Sequence, residues 1–263
     1  MDDFKERKLT NPSEKPNFNA WYDCGIEGEA LKLAHQKIEK DNKNIPQKTE
    51  KSDSRRSWDI FYKKHKQSFF RDRKWLTLVF KDLLDTKKTI FEVGCGVGNS
   101  LAHLPKIDYA CDFSENAVKL AQERFPKTYI FVHDLCSDIP LSFSADYIVA
   151  IFTMSAIEPK LHLKVFKKLY NCLNPGGKIF FKDYGFLDMI QLRYKTEQIV
   201  DENFYQRKDG TFTYFFKLEY MQKLVEDCGL EIEQLYEDKK LHYNRKRDLD
   251  MYRVMIQGIF VKK

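Results

Sequence analysis

Hydrophobic and polar positions follow two periods along residues 58–263, and these periods predict alternating strands and helices. Short apolar runs bounded by polar or glycine residues predict five strands, at 88–93, 107–112, 128–134, 146–152 and 178–183. Apolar residues at helical spacing predict helices between them, at 98–104, 114–125 and 159–173. Strands separated by single helices are typical of an α/β fold with a doubly wound, mainly parallel sheet.

The C-terminal part has a different pattern, which predicts an antiparallel edge for this sheet. Aromatic residues over 203–216 predict a hairpin that turns at Lys208-Asp209-Gly210. A helix before the hairpin and a helix and two strands after it complete the prediction, at 187–200, 217–228, 230–236 and 254–261.

Residues 1–57 are polar and predict an N-terminal extension and linker outside the folded domain. A thin apolar stripe predicts one helix at 27–40, and the almost entirely polar residues 41–56 predict the linker. The extension is therefore predicted to be helical in one part and disordered in another. We predict one folded domain over 58–263, which opens with a basic aromatic segment over 58–80.

Composition limits the location and the chemistry of the protein. The 263 residues include no apolar run long enough to cross a membrane, and the first residues lack the apolar core of a signal peptide. Six scattered cysteines, none in a C-x-x-C pair, predict reduced thiols, no metal site, and a cytoplasmic or nuclear location. The net charge of +6 is uneven, because residues 58–89 carry +5, residues 90–160 carry −4 and residues 161–263 carry +4. Basic segments on both sides of an acidic middle favour a polyanionic partner.

A glycine loop follows the first predicted strand of the domain and opens a helix, with the sequence Phe91-Glu92-Val93-Gly94-Cys95-Gly96-Val97-Gly98. Gly94 and Gly96 allow a tight turn and the close approach of a ligand. The spacing departs from the dinucleotide fingerprint, because Asn99 stands where the third glycine is expected. Glu92 disfavours a pyrophosphate and suits a cationic ligand, so the loop favours S-adenosylmethionine over a nicotinamide or flavin dinucleotide.

Candidate ligand-binding residues also end the next predicted strands, where they meet at one edge of a parallel sheet. Asp112 is predicted to accept hydrogen bonds from ribose hydroxyls, and a helix cap is the alternative. Asp134 is predicted to accept from the adenine amino group while Leu135 packs on the ring, or else to be an ordinary turn aspartate. Ile151 is predicted to cover the other adenine face, and a place in the core is equally natural for it.

The chain lacks two devices that nucleobase methylation often uses. Residues 151–159 contain no Asn/Asp/Ser-Pro-Pro-aromatic motif, which methylation of an exocyclic amino group usually needs. No cysteine stands beside a proline or has an evident site for covalent attack on a pyrimidine ring. A ring nitrogen has its own lone pair and needs neither device, only alignment with the methyl group and stabilisation of the positive charge that develops.

Aromatic and basic residues are interleaved in the segment before the glycine loop. Trp58, Phe61 and Tyr62 share one face of a predicted helix, and the run Phe69-Phe70-Arg71-Asp72-Arg73-Lys74-Trp75 follows it. Aromatic rings stack on bases and guanidinium groups contact phosphates, so this segment favours nucleic acid. An amphipathic helix packed on the sheet explains the same pattern equally well.

Motifs in a fixed order resemble those of the eukaryotic tRNA 3-methylcytidine methyltransferases. They are W-D-x-F-Y from Trp58, F-F-R-D-R-x-W from Phe69, the glycine loop, A-C-D-F-S from Ala110 and D-Y-G from Asp183, and the resemblance covers roughly 58–263. It implies a seven-stranded sheet of the class I methyltransferase type, S-adenosylmethionine as cofactor, and methylation of ring nitrogen 3 of cytidine 32 in the tRNA anticodon loop. Some members of this family depend on an aminoacyl-tRNA synthetase such as the seryl enzyme to select the substrate, and the sequence leaves open whether this chain does.

The resemblance further implies roles for single residues. Trp58 and Tyr62 would close the donor pocket, and Phe69 or Phe70 would stack on the extruded cytosine. Arg71 and Arg73 would lie near phosphates. Asp183 would bind the cytosine edge and stabilise the cationic product. Two rival functions explain part of the sequence, namely a small-molecule methyltransferase of the same fold and a non-catalytic RNA-binding adaptor subunit.

Overall fold

The computed structural model describes residues 7–46 and 52–263, and its strands form one sheet of eight and one of three. In chain order the strands are β1 (Ala20–Tyr22), β2 (Ile90–Val93), β3 (Tyr109–Asp112), β4 (Tyr129–Val132), β5 (Ala145–Ile151), β6 (Leu173–Tyr184), β7 (Ile199–Asp201), β8 (Phe204–Gln206), β9 (Phe212–Tyr214), β10 (Glu231–Asn244) and β11 (Leu249–Val261). The α-helices are α1 (Gly28–Lys43), α2 (Ser54–His65), α3 (Leu76–Val79), α4 (Glu115–Arg124), α5 (His162–Cys172) and α6 (Leu218–Asp227).

The large sheet has the strand order β1-β10-β11-β6-β5-β2-β3-β4. The five strands from β4 to β6 are parallel, and β2 lies in the centre between β3 and β5. The chain moves from β2 outward to β3 and β4 on one side, and then crosses to β5 and β6 on the other. Such a reversal leaves a crevice at the carboxyl ends of the central strands, where ligands bind in open α/β sheets.

Each face of the sheet has its own core. On one face, α5 and α6 contribute residues such as Phe166 and Val225, which pack against Phe181 of β6. On the other face, Leu76, Phe80 and Leu83 pack in a cluster with strand residues of β2, β5 and β6. Because both faces are covered, the central strands are apolar at almost every position, which explains the continuous apolar runs of the sequence.

The antiparallel edge is longer than the sequence predicts. Strand β10 has 14 residues and β11 has 13, and together they form a hairpin. Strand β1 pairs with the outer side of β10. The sheet therefore has eight strands where seven were predicted, because the N-terminal extension supplies one more. Trp21 of this strand is 3% exposed, so part of the extension packs on the sheet.

Two predicted helices are wrong for a common reason. Residues 98–104 form only a 3-10 turn at 101–103, and residues 187–200 form two such turns followed by β7. The side chain of Asn99 donates to the Phe70 carbonyl at 3.1 Å, and Gln191 accepts from the Leu187 N–H at 2.8 Å. Side chains committed to backbone groups in this way compete with the regular hydrogen bonds of a helix.

The basic aromatic segment begins before residue 58. Helix α2 starts at Ser54, with Asp53 as its N-cap accepting from the Arg56 N–H at 3.1 Å. Helix α1 extends to Lys43, so the predicted linker 41–56 shortens at both ends. Residues 47–51 of that linker lie outside the described residues, and the division at residue 57 into extension and domain stays a prediction.

The described residues contain no helix that is long and apolar enough to cross a membrane. All six cysteines are free thiols, and four of them are buried: Cys95, Cys111, Cys172 and Cys228. The cellular compartment stays a prediction from the sequence.

Candidate active site

A cavity of about 320 Å³ opens at the carboxyl ends of the parallel strands, where the strand order reverses. The glycine loop, the ends of β3, β4 and β5, and the beginning of α2 form its lining. Six residues predicted to bind the cofactor line it: Trp58, Tyr62, Gly94, Asp112, Asp134 and Leu135. The fold thus brings together side chains that are up to 77 positions apart in the sequence.

Two glycines shape the floor of the cavity because other residues come very close to their backbone. Gly94 has φ +62°, and a Cβ atom added there would lie 2.5 Å from Oγ1 of Thr153. Thr153 is held in place by donating from this oxygen to the Val93 carbonyl at 2.9 Å. Gly96 has φ +55°, and an added Cβ would lie 2.5 Å from the hydroxyl oxygen of Tyr62. No other residue type fits either position without displacing a neighbour.

Asp112 connects the glycine loop to helix α4. Its carboxylate accepts from the Gly96 N–H and from the Ser114 N–H, both at 2.9 Å. Burial raises the pKa of Asp112 to about 6, and these backbone hydrogen bonds act in the opposite direction. A carboxylate has acceptor sites for about four hydrogen bonds, so Asp112 keeps capacity for donors inside the cavity. Ser114 is the N-cap of α4, which removes the alternative of Asp112 as the cap.

Glu92 is fully buried next to the loop and pairs with Arg73. Nη1 of Arg73 lies 3.4 Å from Oε1 of Glu92 and donates to Oγ of Ser100 at 2.7 Å. Burial raises the pKa of Glu92 to about 7, against the opposing effect of Arg73. Oε2 of Glu92 has no hydrogen-bond partner among the described residues. The Glu92 carboxylate is therefore incompletely neutralised beneath the cavity.

Helix α2 supplies an aromatic side to the cavity. The indole of Trp58 stacks on the Tyr62 ring with centroids 5.8 Å apart and an angle of 27°. Asp59, on the same helix, accepts from Oγ of Ser114 at 2.8 Å and from the Asn116 N–H at 3.0 Å. These bonds fix α2 against α4, and so hold the two rings over the glycine loop.

Three residues that line the cavity each have a buried polar side-chain atom with no hydrogen-bond partner within residues 7–46 and 52–263. These atoms are Nε1 of Trp58, Oγ of Ser54 and Nε2 of His133. Buried polar groups are normally paired, and leaving one unpaired costs about 1–3 kcal/mol. Their convergence on one cavity indicates a site built for a polar ligand.

Comparison with known proteins identifies the family. A family model described as a methyltransferase domain matches residues 62–235. A Drosophila melanogaster protein named tRNA N(3)-methylcytidine methyltransferase Mettl2 is 38% identical, over 97% of this chain and 87% of its own length. The chain belongs to the tRNA N(3)-cytidine methyltransferase family.

Two further matches define the range of similarity. A Saccharomyces cerevisiae protein named tRNA(Thr) (cytosine(32)-N(3))-methyltransferase is 37% identical, over 98% of this chain and 45% of its own length. A solved S-adenosylmethionine-dependent methyltransferase from Anabaena variabilis has a TM-score of 0.61 at 12% identity, and covers 82% of this chain and 98% of that one. At that identity the likeness shows the fold alone, and it confirms the class I methyltransferase fold predicted from the sequence.

Two residues that were predicted to bind the cofactor, Ile151 and Gly96, lie near the cavity but not in its lining. Ile151 is fully buried in the core cluster of Leu76 and Phe80 and is not part of the lining. The neighbouring Phe152, with φ +55°, lines the cavity instead. Gly96 is also absent from the lining, and acts through its N–H on Asp112 and its space for Tyr62. Phe152 follows the last residue of β5, and its positive φ turns the chain out of the strand, so the alternation of the strand does not predict which of the two side chains reaches the cavity.

A buried histidine that supports the cavity is not predicted by any pattern in the sequence. Nε2 of His162 lies 3.0 Å from the Met154 carbonyl and 3.1 Å from the Ile157 carbonyl, and Nδ1 lies 3.0 Å from the Tyr220 hydroxyl. Burial lowers the pKa of His162 to about 4, so the ring is neutral near pH 7 and carries its proton on Nε2. It holds residues 154–158, of which Ala156, Ile157 and Glu158 line the cavity. Only the folded chain brings these groups to one ring.

Asp183 lies at the end of β6, fully buried and outside the lining of the cavity. Its carboxylate accepts from the Ser155 N–H and from the Tyr184 N–H, both at 2.9 Å. Burial raises the pKa of Asp183 to about 6, while these hydrogen bonds and the charge of Arg73 lower it. Asp183 therefore supports the turn that follows Thr153, directly behind the cavity.

The predicted base-stacking residues form an aromatic cluster with α2. Phe69 is 54% exposed, and its ring centroid lies 4.8 Å from that of Phe61 and 4.9 Å from that of Phe70. Phe70 is half-buried, so Phe69 offers the larger free face. Arg73 is turned inward to Glu92, and its guanidinium carbon lies 5.6 Å from the Phe152 ring. The prediction of Arg73 near a phosphate does not match this position, whereas Arg71 is exposed.

The segment of Phe69 and Phe70 is attached to the glycine loop by Asn99, the residue that replaces the third glycine of a dinucleotide fingerprint. Nδ2 of Asn99 donates to the Phe70 carbonyl at 3.1 Å and to Oδ1 of Asp72 at 3.0 Å. The Arg73 N–H donates to the Asn99 carbonyl at 2.9 Å. Asn99, the residue that departs from the fingerprint, therefore joins the segment of Phe69 and Phe70 to the glycine loop through its hydrogen bonds.

Proposed function

We propose that the chain transfers a methyl group from S-adenosylmethionine to ring nitrogen 3 of cytidine 32 in tRNA. The observation that carries the proposal is the cavity with its acidic and aromatic lining, found in a chain that is 37–38% identical to tRNA N(3)-cytidine methyltransferases over nearly its whole length. Position 32 is the one that the name of the yeast relative gives.

The residues of the cavity fit S-adenosylmethionine in size and in chemistry. A volume of about 320 Å³ lies in the range of small-molecule sites. Trp58, Ser54 and His133 line it and each has a polar atom that is unpaired among the described residues, and the carboxylates nearby suit a ligand that carries a sulfonium and an ammonium group. When bound, S-adenosylmethionine supplies an electrophilic methyl group.

Each end of the donor has residues that would hold it. Asp112 accepts from the ribose hydroxyls, as acids at this strand end do in related sheets. Asp134 accepts from the adenine amino group, with Leu135 packed on the ring. Glu92 supplies negative charge to the cationic end, where its Oε2 is unpaired among the described residues. Trp58 and Tyr62 cover the site and exclude water from it.

The protein needs to position the cytosine more than to activate it. Ring nitrogen 3 of cytosine is unprotonated near neutral pH, so no general base is required. Methyl transfer leaves a positive charge on the base, and the buried Asp183 carboxylate stabilises that charge through the low-dielectric interior. Phe69, with its exposed ring, stacks on the extruded base.

The reaction product tests the proposal directly. The protein is incubated with total tRNA and isotopically labelled S-adenosylmethionine, and the digested tRNA is resolved into nucleosides. We expect label in 3-methylcytidine, and loss of that label from a transcript whose cytidine 32 is replaced by uridine. Label only in small metabolites, or in another nucleoside, would contradict the proposal.

Activity should fall as the pH is lowered from about 8 through 7 and 6. The pKa of Glu92 is about 7, and those of Asp112 and Asp183 are about 6, so acidification protonates the carboxylates that the reaction uses. The lost activity should not reflect unfolding, because a carboxyl group whose pKa is raised by folding stabilises the folded state more as the pH falls.

Initial rates between pH 5.5 and 9 check this expectation. Measured at saturating tRNA, the KM for S-adenosylmethionine should rise as Glu92 and Asp112 are protonated, and kcat should fall as Asp183 is protonated. Thermal melting at each pH is the control for folding. A flat profile from pH 5.5 to 8 would contradict the assignment of these three carboxylates.

A substrate-selecting partner stays a prediction of this function. The resemblance implies an aminoacyl-tRNA synthetase, such as the seryl enzyme. Methylation of purified tRNA isoacceptors with and without the synthetase tests it, and we expect the synthetase to raise the rate for its own tRNA only.

A further inference from the structure

Strands β10 and β11 extend beyond the rest of the sheet as an arm. Strand β11 pairs with β6 only from Met255 to Val261, although β10 and β11 remain paired as far as Asn244 and Leu249. Because β11 runs antiparallel to β6, the arm projects past the carboxyl end of β6, on the side of the sheet where the cavity opens. About eight residues separate Met255 from Arg247 at the tip, which corresponds to roughly 26 Å along a strand.

The arm is braced by the N-terminal extension. Strand β1 pairs with residues 240–242 of β10, and Trp21 at its centre is buried against the arm. Nζ of Lys15 lies 2.7 Å from Oδ2 of Asp250, and the Tyr243 N–H donates to the Asn19 carbonyl at 3.3 Å. The arm is therefore a supported element that holds its tip in a fixed place.

The tip itself is an ordered turn. The Arg247 N–H donates to the Asn244 carbonyl at 3.1 Å and to Oδ1 of Asn244 at 3.2 Å. The carboxylate closest in sequence to the tip is that of Asp248. Its Oδ1 accepts a hydrogen bond from the Tyr243 hydroxyl. Residues 245–247 are all exposed.

Charges on the arm differ sharply between its sides and its tip. Along the sides, cations have carboxylate partners: Lys239–Glu237, Lys240–Asp238, Lys15–Asp250 and Arg253–Asp188. At the tip, Arg245, Lys246 and Arg247 have no carboxylate partner within 4 Å in the part of the chain that the structure describes. Three consecutive exposed cations without intramolecular partners indicate an anionic partner outside the chain.

We propose that the tip formed by Arg245, Lys246 and Arg247 binds the phosphate backbone of the tRNA at a place remote from the methylated cytidine. This inference rests on the proposed function. The arm of roughly 26 Å places the tip well beyond the carboxyl end of β6 and outside the lining of the cavity. The tip carries no aromatic side chain between 244 and 248 that could stack on a base, so it reads charge and shape rather than sequence.

The salt dependence of tRNA binding tests the proposal. The variant Arg245→Gln/Lys246→Gln/Arg247→Gln is compared with the unsubstituted protein over about 50–300 mM salt. We expect tRNA affinity to fall at least about tenfold at ~0.1 M salt, and the slope of log affinity against log salt to decrease by about 2–3. The loss should be similar for different tRNA isoacceptors, and kcat at saturating tRNA should be unchanged.

A matched control removes three other exposed cations. Lys81, Lys87 and Lys127 lie before β2 and β4, at the opposite end of the sheet from the arm. Their simultaneous replacement by glutamine lowers the net charge equally, and should leave the slope close to that of the unsubstituted protein. An equal decrease of slope in both variants, or no decrease in the arm variant, would overturn the proposal. No decrease of the slope in the arm variant is also the result expected if the tip binds an acidic protein instead of tRNA.

Binding is measured separately from methylation, so that two failures can be told apart. If tRNA binds but no 3-methylcytidine forms, the proposed function fails while the comparison of slopes still decides the role of the tip. Suppose instead that the arm variant forms 3-methylcytidine at an unchanged rate, and that the slope of its log tRNA affinity against log salt is also unchanged. The proposed function then stands and the role of the tip is refuted.

Discussion

Replacing Gly94 with alanine should weaken the binding of S-adenosylmethionine by at least about 100-fold. The backbone of Gly94 has φ +62°, which costs an alanine roughly 1 kcal/mol or more. The added Cβ would also lie 2.5 Å from Oγ1 of Thr153, which must then move and break its hydrogen bond to the Val93 carbonyl. The protein relieves this strain and overlap, together about 3 kcal/mol, by moving the loop and Thr153 out of the geometry that the ligand needs, which corresponds to about two factors of ten in affinity. Calorimetric titration with S-adenosylmethionine measures the loss.

Gly176→Ala is the matched control for backbone strain. Gly176 also has a positive φ, +74°, but no atom lies within 4 Å of an added Cβ. This substitution should cost about 1 kcal/mol of stability and leave donor affinity within about twofold. Equal donor affinities for the two variants would mean that the contact between Gly94 and Thr153 does not shape the donor site.

Replacing Asp183 with asparagine should lower kcat by about 100- to 1000-fold, the usual effect of removing one electrostatic group from a transition state. Asparagine retains nearly the same shape and one acceptor oxygen, but it lacks the charge that stabilises a cationic base. Asp183 lies outside the lining of the donor cavity, so the affinity for S-adenosylmethionine should change less than about threefold. Single-turnover rates at saturating tRNA, with donor titration in parallel, separate the two effects.

Asp188→Asn is the control for loss of a buried carboxylate. Asp188 is fully buried, and accepts from the Ile190 N–H, the Val254 N–H and Nε of Arg253. Its replacement should lower the melting temperature without lowering kcat at saturating tRNA. If Asp183→Asn lowers stability as Asp188→Asn does, and leaves kcat unchanged, the role of Asp183 is structural only.

The glycine loop was predictable because its chemistry is local. A strand, a turn with Gly94 and Gly96, and an acid at the end of the next strand are adjacent in the sequence or follow it at regular intervals. Parallel strands then bring Asp112 and Asp134 to one edge without any further information. Gly94, Asp112, Asp134 and Leu135 could therefore be predicted from the residues alone to lie together, and they line one cavity. Ile151 lies in the core beside it.

The position of Arg73 could not be predicted in the same way. A basic residue among aromatic ones is typical of a nucleic-acid surface, and nothing local distinguishes an inward guanidinium from an outward one. The decisive partner is Glu92, 19 positions later, which is buried in β2 and leaves a negative charge that Arg73 partly neutralises. The neighbouring Arg71 lies exposed.

The sequence by itself determined the parallel sheet, the donor loop, the acids at the strand ends and, through its ordered motifs, the family. These features depend on periodicity and on spacing along the chain, which residue types record directly. Tertiary structure alone decided that Phe152 rather than Ile151 lines the cavity and that His162 holds residues 154–158 beside it. It also decided that Arg245, Lys246 and Arg247, at the end of a braced arm, have no carboxylate partner among the described residues. Such properties depend on which distant groups meet, because burial and pairing arise only when the chain is folded.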